Sequence, residues 1–183
     1  MPRAGLSPDT VVDVALALVD EKGTGALSLA AVADRAGVAA PSLYKHVGGL
    51  ADLRGLMALR VIRELTARSA GVVMGRSGDE AVAALMRAYR DYVVTHPGRY
   101  ALMPLNVLQV PALADAGREL LAVFVAVMRG YGLDGAAATH AIRRLRAAVH
   151  GFATLEAGGG FGMPEDVDVS FEHVVTMMVR SLQ

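Results

Sequence analysis

Apolar residues recur along this chain at three- and four-residue steps, and no stretch alternates apolar and polar residues long enough to read as a strand. The pattern predicts an all-α protein. Ser7-Pro8-Asp9 supplies a cap, a first-turn proline and an acidic residue well placed for the helix dipole. Val11, Val12, Ala15, Leu16 and Val19 then share one face until Gly23 and Gly25 end the run. Leu53, Met57, Val61 and Leu65 step by four along a long helix that starts after Gly48-Gly49. Ser77-Gly78-Asp79-Glu80 has the form of a capping box, and it opens a helix with Val82, Leu85, Met86, Tyr89 and Val93 on its apolar face, halted by His96-Pro97. A short helical piece is expected around Arg99 to Leu105. After Pro111, the stretch Ala112 to Arg129 is apolar nearly all round from Leu120, which predicts a helix in the middle of a core. Two last helices are expected from Gly135 to Ala157 and from Val169 to Leu182, separated by GGGFGMPEDVD.

Between the first helix and the long one, LSLAAVADRAGVAAPSLYKHVGGLADL (Leu27 to Leu53) reads as two short helices joined by a tight turn. Ser28 caps the first, whose Leu29, Val32, Ala33 and Ala36 recur at helical spacing, Gly37 makes the turn and Val38 packs beneath it. Pro41 suits the first position of the second helix, which carries Leu43 and Val47 inward and Ser42, Lys45 and His46 outward. With Pro41 first, Ala40 takes the cap without a side-chain acceptor, leaving the amides of Ser42 and Leu43 for a phosphate. This is the shape of a helix-turn-helix that reads a DNA major groove.

Composition narrows the alternatives. With 183 residues, 54% of them hydrophobic, the chain can bury a small domain and a larger one. It has no cysteine, so neither a disulfide framework nor a thiolate metal site is available. GxSxG, HExxH and GxxxxGK[ST] are all missing, and no enzyme and no cofactor are expected. His140 and His150 are ten residues apart and point about 80° from one another on a helix, poor geometry for one metal, so none is expected. The start lacks a signal-peptide pattern, and the longest apolar run, Leu120 to Met128, is far short of the ~20 residues of a membrane span. These features predict a cytoplasmic protein without a membrane partner. Eighteen basic and eighteen acidic residues cancel, with seven of each in the first 65, so a positive field must come from local placement and helix N-termini.

The motif PSLYKHV, preceded by LSLAAVADRAGVAA and followed by GGLADL, resembles the N-terminal domain of the TetR family of bacterial repressors, and the resemblance begins near Leu6 in LSPDTVVDVALALVDEKGTGAL. It implies a three-helix DNA-binding domain over residues 1–50 and a larger helical domain over 51–183 that binds a ligand and dimerises. VHGFATLE, with the glycine-rich loop and final helix, also resembles a C-terminal domain type found on some members. Relatives often carry tryptophan ahead of the His-Gly pair, whereas this chain has none. Carried over by position, the resemblance implies a phosphate contact from Ser28 and backbone contacts from Tyr44 and His46, with Ala40, Pro41, Ser42 and Lys45 facing base edges. The chemistry permits it, because Ala40 and Pro41 can pack on a thymine methyl, Ser42 can donate or accept, and Lys45 can reach guanine O6 or N7.

Two departures matter. Ala30 stands where the family usually has a basic residue, and Leu50 where it often has lysine; both remove phosphate contacts. The expectation is weaker DNA affinity, or compensation by Arg3, Arg35 or Arg54.

In the later helices, Met86, Tyr89, Tyr92, Tyr100, Met103, Phe124 and Met128 are candidate ligand-binding residues, since tyrosine and methionine suit an adaptable apolar pocket; plain core packing explains them as well. Arg143, Arg144 and Arg146 read either as an anion site or as a solvated face. Ala147, Ala148 and Gly151 form a small-residue patch, and Val174, Val175 and Met178 an apolar stripe on the last helix; together they are the expected homodimer interface. The reading that follows is a ligand-responsive regulator, a repressor released from a palindromic double-stranded DNA operator by a small-molecule effector. The rival is a dimeric sensor or carrier with a weakened DNA-binding domain.

Overall fold

The computed structural model describes residues 6–183, so Arg3 lies outside the described residues. Among these residues the fold is all-α, without a strand. The helices are α1 (Pro8–Lys22), α2 (Leu29–Ala36), α3 (Leu50–Val73), α4 (Gly78–Thr95), α5 (Pro97–Tyr100), α6 (Ala114–Arg129), α7 (Gly135–Ala157) and α8 (Val167–Arg180), with 3₁₀ turns at Thr24–Ala26, Ala40–Lys45 and Val107–Gln109.

The chain forms two compact units. The first takes the residues up to Ile62 together with Gly98–Asp115, and the second takes Arg63–Pro97 with Ala116–Gln183. In the first unit the Ser7 hydroxyl accepts the Thr10 amide at 3.1 Å and starts α1. Val11, Val12, Ala15, Leu16 and Val19 of α1 are all buried, as the pattern requires. Leu53, Met57 and Val61 of α3 are fully buried. Arginines from other elements converge on α1: Arg60 reaches Asp9 at 2.8 Å and Asp13 at 2.6 Å, Arg35 grips Glu21, and Arg99 grips Asp20. Gly98 lies so close to α1 that a Cβ there would stand 2.9 Å from the Val19 carbonyl oxygen and 2.9 Å from its Cγ1. Residues 98–115 are thereby fastened onto α1.

In the second unit α4 packs along α7, and α8 packs against both. Arg90 of α4 sits where the three meet. Its guanidinium holds Glu156 at 2.6 Å and Asp168 at 2.7 Å and lies over the rings of Phe171 (4.8 Å) and Phe152 (5.7 Å). The end of the chain is tied down as Gln183 donates to Asp79, whose other oxygen accepts the Tyr131 hydroxyl at 2.7 Å.

Three expectations need correcting. The capping box at Ser77 does not close: the serine makes no side-chain cap bond, and Glu80 instead accepts from Arg76 at 2.9 Å. The arginine one residue before the cap wins the carboxylate. A comparable back-reach forms at α3, where Asp52 accepts the Gly48 amide at 2.8 Å. Second, α6 is not encased. Phe124, Val127 and Met128 are buried, but Ala122 and Ala126 are exposed and Leu120, Leu121, Val123 and Val125 half-buried, because only one stripe of the helix meets the rest of the chain. Third, Ala40–Lys45 is a 3₁₀ turn capped by Ala39, not an α-helix capped by Ala40. Ala40 precedes proline, which disfavours the α conformation, and Pro41 has no amide to give.

Candidate nucleic-acid interface

The interface is built from α2, the turn after it and the 3₁₀ segment. The Ser28 hydroxyl accepts the Ala31 amide at 3.1 Å, which starts α2 and leaves the hydroxyl proton available to donate outward. Gly37 closes α2 at φ 67, a left-handed conformation that a side chain would strain, and its amide turns back to Ala33 and Asp34. Val38 follows half-buried, its amide on the Ala33 carbonyl at 3.0 Å. That turn delivers the chain to Ala40.

Leu43 and Val47 are the two anchors of the 3₁₀ segment, 0% and 2% exposed. With them fixed, Pro41, Tyr44 and Lys45 stand exposed, Tyr44 by 62%, while Ala40, Ser42 and His46 are half-buried and Ser28 is exposed. The structure therefore brings the seven candidate residues onto α2 and the adjoining turn. The Ser42 amide is not among the groups available to a phosphate, because it donates to the Ala39 carbonyl at 2.8 Å.

Charge pairing changes the meaning of the neutral count. Asp9, Asp13, Asp20 and Glu21 are all on α1 and all paired with arginine, while Lys45 on the 3₁₀ segment and Arg54 on α3 are exposed. A local positive face does not require an excess of basic residues overall. Arg35 is engaged: its two terminal nitrogens hold Glu21 at 2.6 and 2.5 Å, and this hydrogen-bonded pair keeps the Glu21 carboxyl below the usual carboxylate range.

Of the candidate ligand residues, Met86, Tyr89, Tyr92, Phe124 and Met128 belong to the second unit and Tyr100 and Met103 to the first. The five in the second unit are buried. Tyr89 meets Phe124 edge-on with ring centroids 6.5 Å apart, and the Tyr92 hydroxyl donates to Glu64 at 2.9 Å. Tyr100 is buried and Met103 half-buried. Arg143, Arg144 and Arg146 are exposed, and Arg144 donates to the Ser181 carbonyl at 3.2 Å.

Among the candidate dimer residues Ala147 is exposed, and Ala148, Gly151, Val174 and Met178 are half-buried. Val175, 3% exposed, points into the chain's own core and leaves the proposed stripe. Sequence reasoning passed over Val169 and Met177, which carry the outward apolar surface of α8 at 54% and 56% exposure. It also passed over Ser69, a fully buried serine of α3 whose hydroxyl has no partner, although the four-residue step beyond Leu65 lands on it.

Comparison with known proteins agrees with this architecture. Residues 11–53 match the family model of bacterial regulatory proteins of the tetR family, and residues 82–178 match that of the tetracyclin repressor-like C-terminal domain. An uncharacterized HTH-type transcriptional regulator of Mycobacterium tuberculosis is 38% identical over 98% of this chain and 81% of its own length. Another, YobS of Bacillus subtilis, is 34% identical over 99% and 95%. The crystal structure of the TetR family protein ActR of Streptomyces coelicolor in complex with (S)-DNPA superposes with a TM-score of 0.71 at 21% identity, covering 98% of each chain, a likeness of fold. No helix among the described residues is long and apolar enough to cross a membrane. With a DNA-binding N-terminal domain and a ligand-binding type of C-terminal domain, the chain belongs to the TetR family of transcriptional regulators.

Proposed function

We propose that the chain is a cytoplasmic, homodimeric repressor that binds a palindromic operator and leaves it when a small molecule binds the second unit. The observation that carries this reading is the display of Pro41, Tyr44 and Lys45 outward from a segment pinned by Leu43 and Val47. Ala40, Pro41, Ser42 and Lys45 read base edges, while Ser28, Tyr44 and His46 hold phosphates. Two such segments about 34 Å apart across a two-fold axis require two half-sites one helical turn apart. The exposed face of α7 around Ala147 and of α8 around Val169 and Met177 supports the dimer, since these apolar groups gain from cover. The buried tyrosine, phenylalanine and methionine cluster of the second unit supports an apolar effector site, and ActR is a family member crystallised with a small molecule. Release is a population shift: the effector binds best to the conformation that fits DNA poorly.

One observation favours the second reading, a dimeric sensor with weakened DNA binding. Arg35 is held by Glu21 and does not replace the phosphate contacts missing at Ala30 and Leu50. Selection from a random duplex library, followed by a salt titration, separates the two readings. The repressor reading expects an enriched palindrome whose affinity falls about 100-fold in the Tyr44→Ala, Lys45→Ala double variant. A folded dimer that enriches nothing at low salt belongs to the sensor reading.

A further inference from the structure

The buried stripe of α3 proceeds in steps of four through Leu53, Met57, Val61 and Leu65, and the next step is Ser69. Where the stripe calls for hydrocarbon there is a hydroxyl, fully buried and without a hydrogen-bond partner. Tyrosines aside, no other polar or charged residue is so deeply buried among the described residues. Other helical hydroxyls turn back on their own helix: Thr139 donates to Gly135 at 2.9 Å, Thr154 to His150 at 2.7 Å and Thr176 to Glu172 at 2.9 Å. Ser69 does not do so. A buried polar group left unpaired is unfavourable, and the packing of the chain alone gives nothing back for it.

Its surroundings follow from the register of α3 and α4. Residues 74–77 join the two helices, which makes them an antiparallel hairpin. Glu64 accepts from Tyr92, and Arg68 pairs with Asp91. Ser69 therefore lies level with the middle of α4, where Met86 and Tyr89 are buried and Phe124 meets the Tyr89 ring. Glu64, Arg68 and Arg90 already have partners of this unit, and no ionised group is buried there to answer a charged guest.

We propose that the Ser69 hydroxyl is the polar anchor of a buried site in the second unit for a neutral, largely apolar small molecule carrying one hydroxyl or carbonyl oxygen. This rests on the effector-responsive reading above and supplies the chemical class of that effector. The hydroxyl gives orientation and the rings and thioethers give affinity.

Three probes of one ring system test it: naphthalene, 2-naphthol and 2-naphthoate, titrated by fluorescence into the full chain, which has no tryptophan to interfere. The wild type is expected to bind 2-naphthol about 10-fold more tightly than naphthalene, as one neutral hydrogen bond provides, and to bind 2-naphthoate least. Ser69→Ala is expected to abolish the preference for naphthol while its melting temperature stays level or rises, because an unpaired buried hydroxyl is removed. The proposal is overturned if Ser69→Ala keeps the preference, if naphthoate binds best, if no probe binds, or if the variant melts several degrees lower, since the hydroxyl would then serve the fold. Operator selection with the wild type is run alongside. If the operator binds and the probes ignore Ser69, only this inference fails; if no operator is found, the repressor reading fails whatever the probes do.

Discussion

The arginines that pair with the outer face of α1 and the arginine at the centre of the second unit work in opposite ways. In the first, Arg35 and Arg60 reach across the surface to carboxylates on α1 that are more than half exposed. In the second, Arg90 is 15% exposed and is shared by Glu156, Asp168 and two phenylalanine rings. Open pairs of the first kind contribute about 0–1 kcal/mol each, and losing one leaves two solvated charges. Losing the guanidinium of the second kind strands Glu156, which is only 18% exposed. The open pairs of α1 can be lost singly at small cost, whereas the junction of α4, α7 and α8 depends on Arg90.

The largest effect should come from Arg90→Ala, about 3 kcal/mol of lost stability in chemical denaturation, against less than about 1 kcal/mol for Arg35→Ala. Equal losses from the two would break the comparison. Next comes Gly98→Ala, which drives a methyl against the Val19 carbonyl and should destabilise the first unit by about 1–3 kcal/mol. Hydrogen exchange on α1 amides reports it, and unchanged protection there would show that the approach has slack. Ser28→Ala removes the cap of α2 and should lower stability by about 1 kcal/mol, with Ser28→Asp restoring it; Ser77→Ala, whose hydroxyl makes no cap bond, should be silent in the same melting experiment.

The smallest effect is a pH slope in the second unit. Burial, and then Arg146, hold the His150 imidazole below its ordinary pKa of 6.5. A depressed value means that the unfolded chain takes up the proton first, so this contribution is complete above pH 6.5 and is lost as pH falls below it. Wild type should lose stability gently from pH 7 to 5, and His150→Gln should flatten that limb.

What could be read from the sequence was local. Ser7, Ser28 and Gly37 act within a turn or two of themselves, and the stripes of α1 and α3 are set by helix geometry alone. The candidate DNA contacts could be placed together for the same reason, as they lie within one short stretch. Arg90 was not, because its carboxylate Glu156 is 66 positions away and nothing near Arg90 announces it. Ser77 failed through a competitor, Arg76, that took the carboxylate the box needed. On α6 and at Val175, periodicity showed which positions are apolar but not which of two faces the rest of the chain would cover.

The fastening of residues 98–115 onto α1 also bears on how this protein can be taken apart. A chimaera cut at residue 62, intended to graft the DNA-reading head onto a foreign sensor, would carry α1 without the glycine that lies on Val19 and the arginine that holds Asp20. The transplantable part is discontinuous in the gene: a head that keeps its shape must bring along a piece encoded after α4.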